Sequence, residues 1–295
     1  MHSRADSRYT GLPSGFTGLD AMISGLNKSD LILLAARPGM GKSAFALNIA
    51  ANVALKNDVD VAVFSLEMSN PQLVSRMLCS DASIPSDKLR TGHLDTEEWA
   101  RLAVSAQRLS GTHIYLDDSA GMTVSQMKAK LRRLKNLGLI VVDYLQLMGS
   151  GSRIENRVQE VSMITRGMKI MAKDLNVPIL CLSQLSRAAE QRQGHRPMLS
   201  DLRDSGSIEQ DADIVLFLFR EGYYADEESD QPVNPNTATC IVAKNRHGSI
   251  GDVMLGWQGE FTRFNNVELY RNEYPPVKGK AGGKTPPGLG GRRAE

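Results

Sequence analysis

Residues 36–44, ARPGMGKSA, combine types and spacing that suit the capture of a polyphosphate. Gly39 and Gly41 permit backbone conformations that turn successive N–H groups inward, so a loop of Arg37, Pro38, Gly39, Met40 and Gly41 running into Ala44 can cradle an anion. Lys42 would set a mobile charge against the β- and γ-phosphates, and the Ser43 hydroxyl would be a ligand for Mg²⁺. The pattern is G-x-x-x-x-G-K-[ST] with Ala36 where the first Gly belongs. Ala is small, so the departure is mild. A Gly-rich turn with an incidental Lys is the bland alternative, and the flanking segments argue against it.

Three polar residues stand just beyond apolar runs, where an α/β sheet with parallel strands places its chemistry. Glu67 follows residues 59–66 (VDVAVFSL), read as a strand beside the nucleotide strand. From this residue alone a solvated strand-end acid reads as well. Asp143 ends the run LGLIVVD, and such an acid downstream of a phosphate loop normally orients a water on the bound Mg²⁺. Gln184 follows residues 177–183 (VPILCLS) and could sense a γ-phosphate, or be an ordinary loop residue. Lys244 and Arg246 have i, i+2 spacing, so on an extended segment they face the same way.

These side chains need elements to hold them. Residues 31–36 form a continuous apolar run, the pattern of a strand buried on both faces, and from Lys42 the apolar residues recur at helical spacing. The loop therefore feeds a helix N-terminus, where the dipole adds to the cradle. Helices are expected over 70–80, with Asn70 as cap and Pro71 first, and over 95–110, capped by Asp95. A basic amphipathic helix is expected over 123–137, its charges more simply a solvated face than a nucleic-acid surface, and another helix over 157–175. Further strands are expected over 113–117, 213–219 and 238–243, with a closing hairpin of 252–256 and 260–265 turning through Trp257-Gln-Gly259. Residues 185–210 read as a long polar segment in which Arg187, Arg192, Arg196 and Arg203 suit phosphate contacts, though its acids make a salt-bridged loop a live alternative.

Composition bounds the rest. The chain has 295 residues, 41% hydrophobic, and supplies a real core. No run reaches the length of a membrane-spanning helix, and the first residues carry no hydrophobic signal, so a cytoplasmic location is expected, with no membrane contact. The net charge of +2 hides a division, because the chain before Lys278 holds 30 basic and 32 acidic residues. Nucleic acid would then be bound through a local patch. Cys79, Cys181 and Cys240 lie far apart, as reduced buried thiols do, with no metal spacing. Residues 1–10 are expected to be a flexible lead, 11–272 one ATPase domain, and 273–295 a disordered basic Gly/Pro-rich tail. Residues 149–156 read as an exposed flexible loop.

Together, ARPGMGKS, FSLEMS, DYLQLM, LSQLSR and SDLRDSGSIEQDAD, in that order from about Thr10 to Asn265, resemble the motor domain of the DnaB family of replicative DNA helicases, a branch of the RecA-like ATPases. The resemblance implies a RecA-like P-loop NTPase fold, α/β with a mainly parallel central sheet flanked by helices. It implies ATP and Mg²⁺ as cofactors, single-stranded DNA as track, a homo-hexamer, and a primase and a helicase loader as partners. Lys42 and Ser43 would hold phosphate and Mg²⁺, Glu67 would be the general base, Asp143 the Walker-B carboxylate, Arg76 a nucleotide contact and Gln184 the γ-phosphate sensor. Lys244 and Arg246 would act in trans as piston and arginine finger on a neighbouring subunit's ATP. Arg203, Asp204 and Gly206 align with the loop that grips the DNA backbone. Family members carry a helical collar and linker helix ahead of the motor, where only about ten residues stand here. A shortened form or a motor-only relative is therefore expected, with weakened hexamer formation. Two other readings are a RecA- or RadA-like recombinase and a module that docks on a primase, loader or helicase without unwinding.

Overall fold

The computed structural model describes residues 9–149, 157–224 and 234–267, with the side chains of residues 157 and 203–207 outside that description. The expected flexible lead at 1–10, the expected loop at 149–156 and the basic tail at 273–295 lie wholly or mostly outside the described residues. Nine strands form one sheet: β1 (Leu31–Ala36), β2 (Asp60–Ser65), β3 (Ile114–Asp117), β4 (Leu137–Asp143), β5 (Ile179–Gln184), β6 (Ile214–Phe219), β7 (Thr237–Asn245), β8 (Gly251–Gln258) and β9 (Arg263–Asn266). Their spatial order is β3-β2-β4-β5-β1-β6-β7-β8-β9. The pairings from β3 across to β6 are parallel, and those from β6 to β9 antiparallel.

Helices cover both faces: α1 (Thr17–Ile23), α2 (Lys42–Lys56), α3 (Asn70–Ala82), α4 (Ser86–Thr91), α5 (Thr96–Ser110), α6 (Val124–Leu131), α7 (Arg157–Leu175) and α8 (Gly206–Asp211). β1 shows why its sequence is apolar throughout. Ile32, Leu34 and Ala36 join the core beneath α2, with Phe45, Ile49 and Val53, while Leu31, Leu33 and Ala35 join the opposite core beneath α7, with Ile164 and Met168. A strand's side chains alternate between faces, so burial on both sides demands an unbroken apolar run.

Several expected boundaries move, each for a local reason. α3 is capped by Ser69 rather than Asn70, because the Gln72 side chain accepts from the Ser69 N–H at 3.0 Å, whereas the Asn70 N–H and amide donate to Asp118. α6 ends at Leu131 rather than 137, since Asn136 exchanges hydrogen bonds with Asp60 and starts β4 beside β2. Its basic residues Lys128 and Lys130 pair with Asp174 and Asp117, as a surface face does. The segment 185–210 is not one long loop: it folds into two 3-10 turns, Arg187–Gln191 and Leu199–Ser205, followed by α8. Within it Arg192 is bidentate on Asp201, and Arg196 Nη2 reaches both carboxylate oxygens of Asp252, so the salt-bridged alternative holds for those two. The last hairpin turns through residues 259–262, because Trp257 and Gln258 pair with Phe264 and Arg263 inside the ladder. All three cysteines are free and buried, as expected. No helix among the described residues is long and apolar enough to cross a membrane.

Candidate functional site

The four strands β2, β4, β5 and β1 are consecutive in the sheet, and each ends in one of the polar residues singled out in the sequence or leads into it. Asp143 closes β4 opposite Ser65 of β2, and Gln184 closes β5 opposite Ala36 of β1. Glu67 follows β2, and Lys42 opens α2 after the loop from β1. One expectation is corrected here, since β2 does not lie beside β1. β4 and β5 stand between them, a separation of about 14 Å at sheet spacing. Glu67 nevertheless reaches the phosphate loop because it sits on the connection past the strand's end. It lines a cavity of about 330 Å³ together with Ala36, Arg37, Pro38, Gly39, Gly41, Lys42, Ser43, Ala44, Arg76 from α3, and Gln184.

The loop has the backbone that the glycines foretold. Gly39 and Gly41 take φ of +82° and +90°, a region open to glycine and strained for other residues. A Cβ on Gly39 would lie 2.7 Å from the Tyr223 hydroxyl, and one on Gly41 2.9 Å from the Phe264 ring. Met40 does not face the cavity; its side chain is 1% exposed and anchors the loop in the core. Arg37 lines the cavity but spends its guanidinium elsewhere: Nε binds Glu190 at 2.9 Å and Nη1 donates to the Leu185 carbonyl at 2.7 Å.

Lys42 Nζ lies 3.8 Å from Asp143 Oδ1 and 4.5 Å from the centre of the Tyr144 ring. Burial pulls its pKa below the ordinary lysine value, against the opposing pull of Asp143 and then Glu67. Asp143 Oδ1 is buried and accepts no hydrogen bond among the described residues. A buried carboxylate oxygen left without a donor, beside a cation and a hydroxyl-bearing loop, fits a site for a hard divalent cation. Beneath these groups burial pushes the Cys181 thiol up to about 12, so it stays neutral.

Three residues of the site were not anticipated. Trp257 and Thr262, from the final hairpin, line the cavity. Arg220, just past β6, donates from Nη1 to the Gly39 carbonyl at 3.1 Å and lies over the Trp257 ring at 4.8 Å. Arg220 had a legible signal, a polar residue after an apolar strand, of the kind carried by Asp143 and Gln184. Trp257 and Thr262 had none, because nothing local tells a strand near the end of the chain that it folds over a loop near its start.

Lys244 and Arg246 do not join this cavity. They face the same way, as their spacing predicts, but against the end of α8: both donate to the Gln210 carbonyl, and the Arg246 N–H donates to the Asp213 carbonyl at 3.0 Å. Asp213 precedes β6, whereas Arg220, which touches the phosphate loop, follows it. The length of the strand, roughly 20 Å, separates Arg246 from its own chain's cavity. Of the expected DNA contacts, Arg203 and Asp204 fall in the turn Leu199–Ser205 and Gly206 opens α8; their side chains are among those not described.

With this geometry in hand, the comparisons with known proteins are specific. A family model described as the DnaB-like helicase C terminal domain matches residues 11–266. The replicative DNA helicase DnaB of Geobacillus stearothermophilus is 54% identical over 272 residues, covering 91% of this chain and 59% of that protein. The replicative DNA helicase DnaC of Bacillus subtilis is 53% identical with the same coverage. The chain thus spans less than two thirds of the length of these relatives. Among solved structures, one described as an ATPase domain superposes with a TM-score of 0.83 at 40% identity, covering 90% of this chain and 94% of that one. A DnaB-like replicative helicase, described with its interactions with primase, gives 0.84 at 40% identity over 90% of this chain and 64% of that one. The RadB recombinase, at 15% identity and a TM-score of 0.54, shares the fold alone. With its phosphate loop, strand-end acids and sheet order joined to these matches, the chain belongs to the family of DnaB-like helicase C-terminal domains, built on a RecA-like α/β fold.

Proposed function

We propose that this chain is the ATP-driven motor segment of a replicative DNA helicase, hydrolysing ATP with Mg²⁺ at subunit interfaces to move along single-stranded DNA and unwind duplex. The observation that carries the reading is the cavity in which Lys42, Ser43, Glu67, Arg76 and Gln184 meet, with Asp143 against Lys42. Lys42 and the inward N–H groups of the loop hold the β- and γ-phosphates. Ser43 and Asp143 would hold Mg²⁺, which when bound would supply charge neutralisation for phosphoryl transfer. Glu67 takes a proton from the attacking water, and Gln184 meets the γ-phosphate. Arg246, too far from its own cavity, reaches the ATP of a neighbouring subunit, which favours a ring and, by the family, a homo-hexamer. Arg203, Asp204 and Gly206 grip the DNA backbone, a mode that reads no bases. A primase is a fitting partner, since a DnaB-like replicative helicase 40% identical to this chain is described with its interactions with primase, and a helicase loader is another.

ATP turnover with and without single-stranded DNA tests the reading. We expect DNA to stimulate turnover, and Glu67→Gln to bind ATP while losing turnover by about 10²–10⁴-fold, the usual contribution of a positioned base. Turnover near that of the parent would remove Glu67 from this role.

A further inference from the structure

Glu67 has to be placed by its backbone. Its side chain is exposed in the cavity, and its carboxylate accepts no hydrogen bond among the described residues. A general base must stand within hydrogen-bond reach of one particular water, so the turn that carries Glu67 needs its own source of order.

Ser65 supplies it. This residue closes β2, is 1% exposed, and pairs with Asp143 across the β2–β4 ladder. Its Oγ donates to the Met68 carbonyl at 2.8 Å and accepts from the Met68 N–H at 3.0 Å. One hydroxyl thus satisfies both backbone groups of the residue three places on, with its single proton and one lone pair. In a β-turn the first residue's carbonyl accepts from that N–H; here the side chain does so, and Glu67 stands at the tip of the turn.

The flanks of the turn are fastened separately. The Leu66 N–H donates to the Asp143 carbonyl at 2.6 Å, which ties the segment to the strand that ends in the other acid of the site. Beyond Met68, the Gln72 side chain accepts from the Ser69 N–H, and Asp118 holds Asn70, so the start of α3 is fixed. Between these anchors the Ser65 hydroxyl is what holds the turn closed. A side chain so deeply buried does not touch the nucleotide, and its effect passes through the turn.

We propose that Ser65 is a positioning residue for the general base, its hydroxyl holding the 65–68 turn so that Glu67 stands at a set place relative to the phosphate loop and Asp143. This rests on the reading of Glu67 as the base.

The test is a double-mutant cycle on ATP turnover in the full chain, with Mg²⁺ and single-stranded oligo-dT. Ser65→Ala should lower kcat by about 10–100-fold, the scale of a small misplacement of a catalytic group, and leave affinity for a non-hydrolysable ATP analogue within about twofold of the parent. Ser65→Thr, which keeps the hydroxyl, should return kcat to within about threefold of the parent. Amide exchange over 65–69 should quicken in Ser65→Ala and slow again in Ser65→Thr. In the Glu67→Gln background Ser65→Ala should cost less than about twofold, because there is no longer a base to misplace; a merely structural serine would cost the same factor in both backgrounds. Parental kcat in Ser65→Ala, an equal loss in both backgrounds, or a folded Ser65→Thr as slow as Ser65→Ala each overturns the proposal. Parental turnover in Glu67→Gln alone removes the base and this proposal with it, whereas a slow Glu67→Gln beside a parental or additive Ser65→Ala removes the positioning role only. Should Ser65→Ala fail to fold, Ser65→Cys, which fills the site but is a weak donor and acceptor, is judged by the same criteria.

Discussion

Lys42 carries its charge where burial opposes it and Asp143 sustains it. That balance has a consequence for binding. The phosphates of a nucleotide favour the charged ammonium, so the Lys42 pKa is higher in the bound state than in the free one, and binding takes up a proton between the two values. Affinity is then full below the free-state pKa and falls as pH rises through it. Because the free-state value is depressed, the fall begins below the ordinary lysine range near about 10.4. Titrating ATP affinity against pH should show this decline in the parent and its loss in Lys42→Arg, whose guanidinium stays charged; the same decline in both would assign it to another group. At this scale much was legible, because Asp143 and Gln184 each stand where an apolar run gives way to a polar side chain, and Lys42 follows the Gly-rich loop into a helix. Arg220 carried the same signal unread, and the placement of Gly39 depends on it.

At the scale of elements, the phosphate loop is held by what lies over it. The Trp257 and Phe264 rings pack with centroids 4.4 Å apart, Phe264 stacks edge-on against Phe45 of α2 at 5.2 Å, and both Trp257 and Phe264 border Gly41. A Cβ there meets ring atoms fixed on both sides and also a φ of +90°. We expect Gly41→Ala to cost roughly 1–3 kcal/mol of stability and to abolish the rise in Tm that ATP with Mg²⁺ gives the parent. A parental rise would mean that the loop adapts. The strand-loop-helix unit of β1 and α2 could be read from periodicity and glycines. α8 could not, because a six-residue helix whose buried apolar side chain is Ile208 has no repeat to detect, and it passes for part of a polar loop. The cap of α5, Asp95, was visible ahead of its acidic first turn, whereas Thr123, which caps α6 three residues before Gln126, carries the same pattern and was passed over.

The whole molecule adds what no segment contains. The order β2-β4-β5-β1 gathers four strand ends into one site, and no local pattern encodes it, since the neighbours of β1 come from distant parts of the chain. The same topology puts Arg246 at the opposite end of β6 from its own Lys42, so in the ring proposed above the cavity is half of a site and the finger is half of another. That complementarity, more than any single residue, makes the account one of a ring. Mixing subunits tests it most directly. Arg246→Ala retains a sound phosphate loop and lacks the finger, whereas Lys42→Ala lacks the loop and keeps the finger. Each alone should turn over ATP at a small fraction of the parental rate, by about 10²–10³-fold for loss of one transition-state donor. Co-assembled with single-stranded DNA, they should regain activity at interfaces that pair a sound loop with a sound finger. No recovery in mixtures shown to co-assemble would contradict a site shared between subunits.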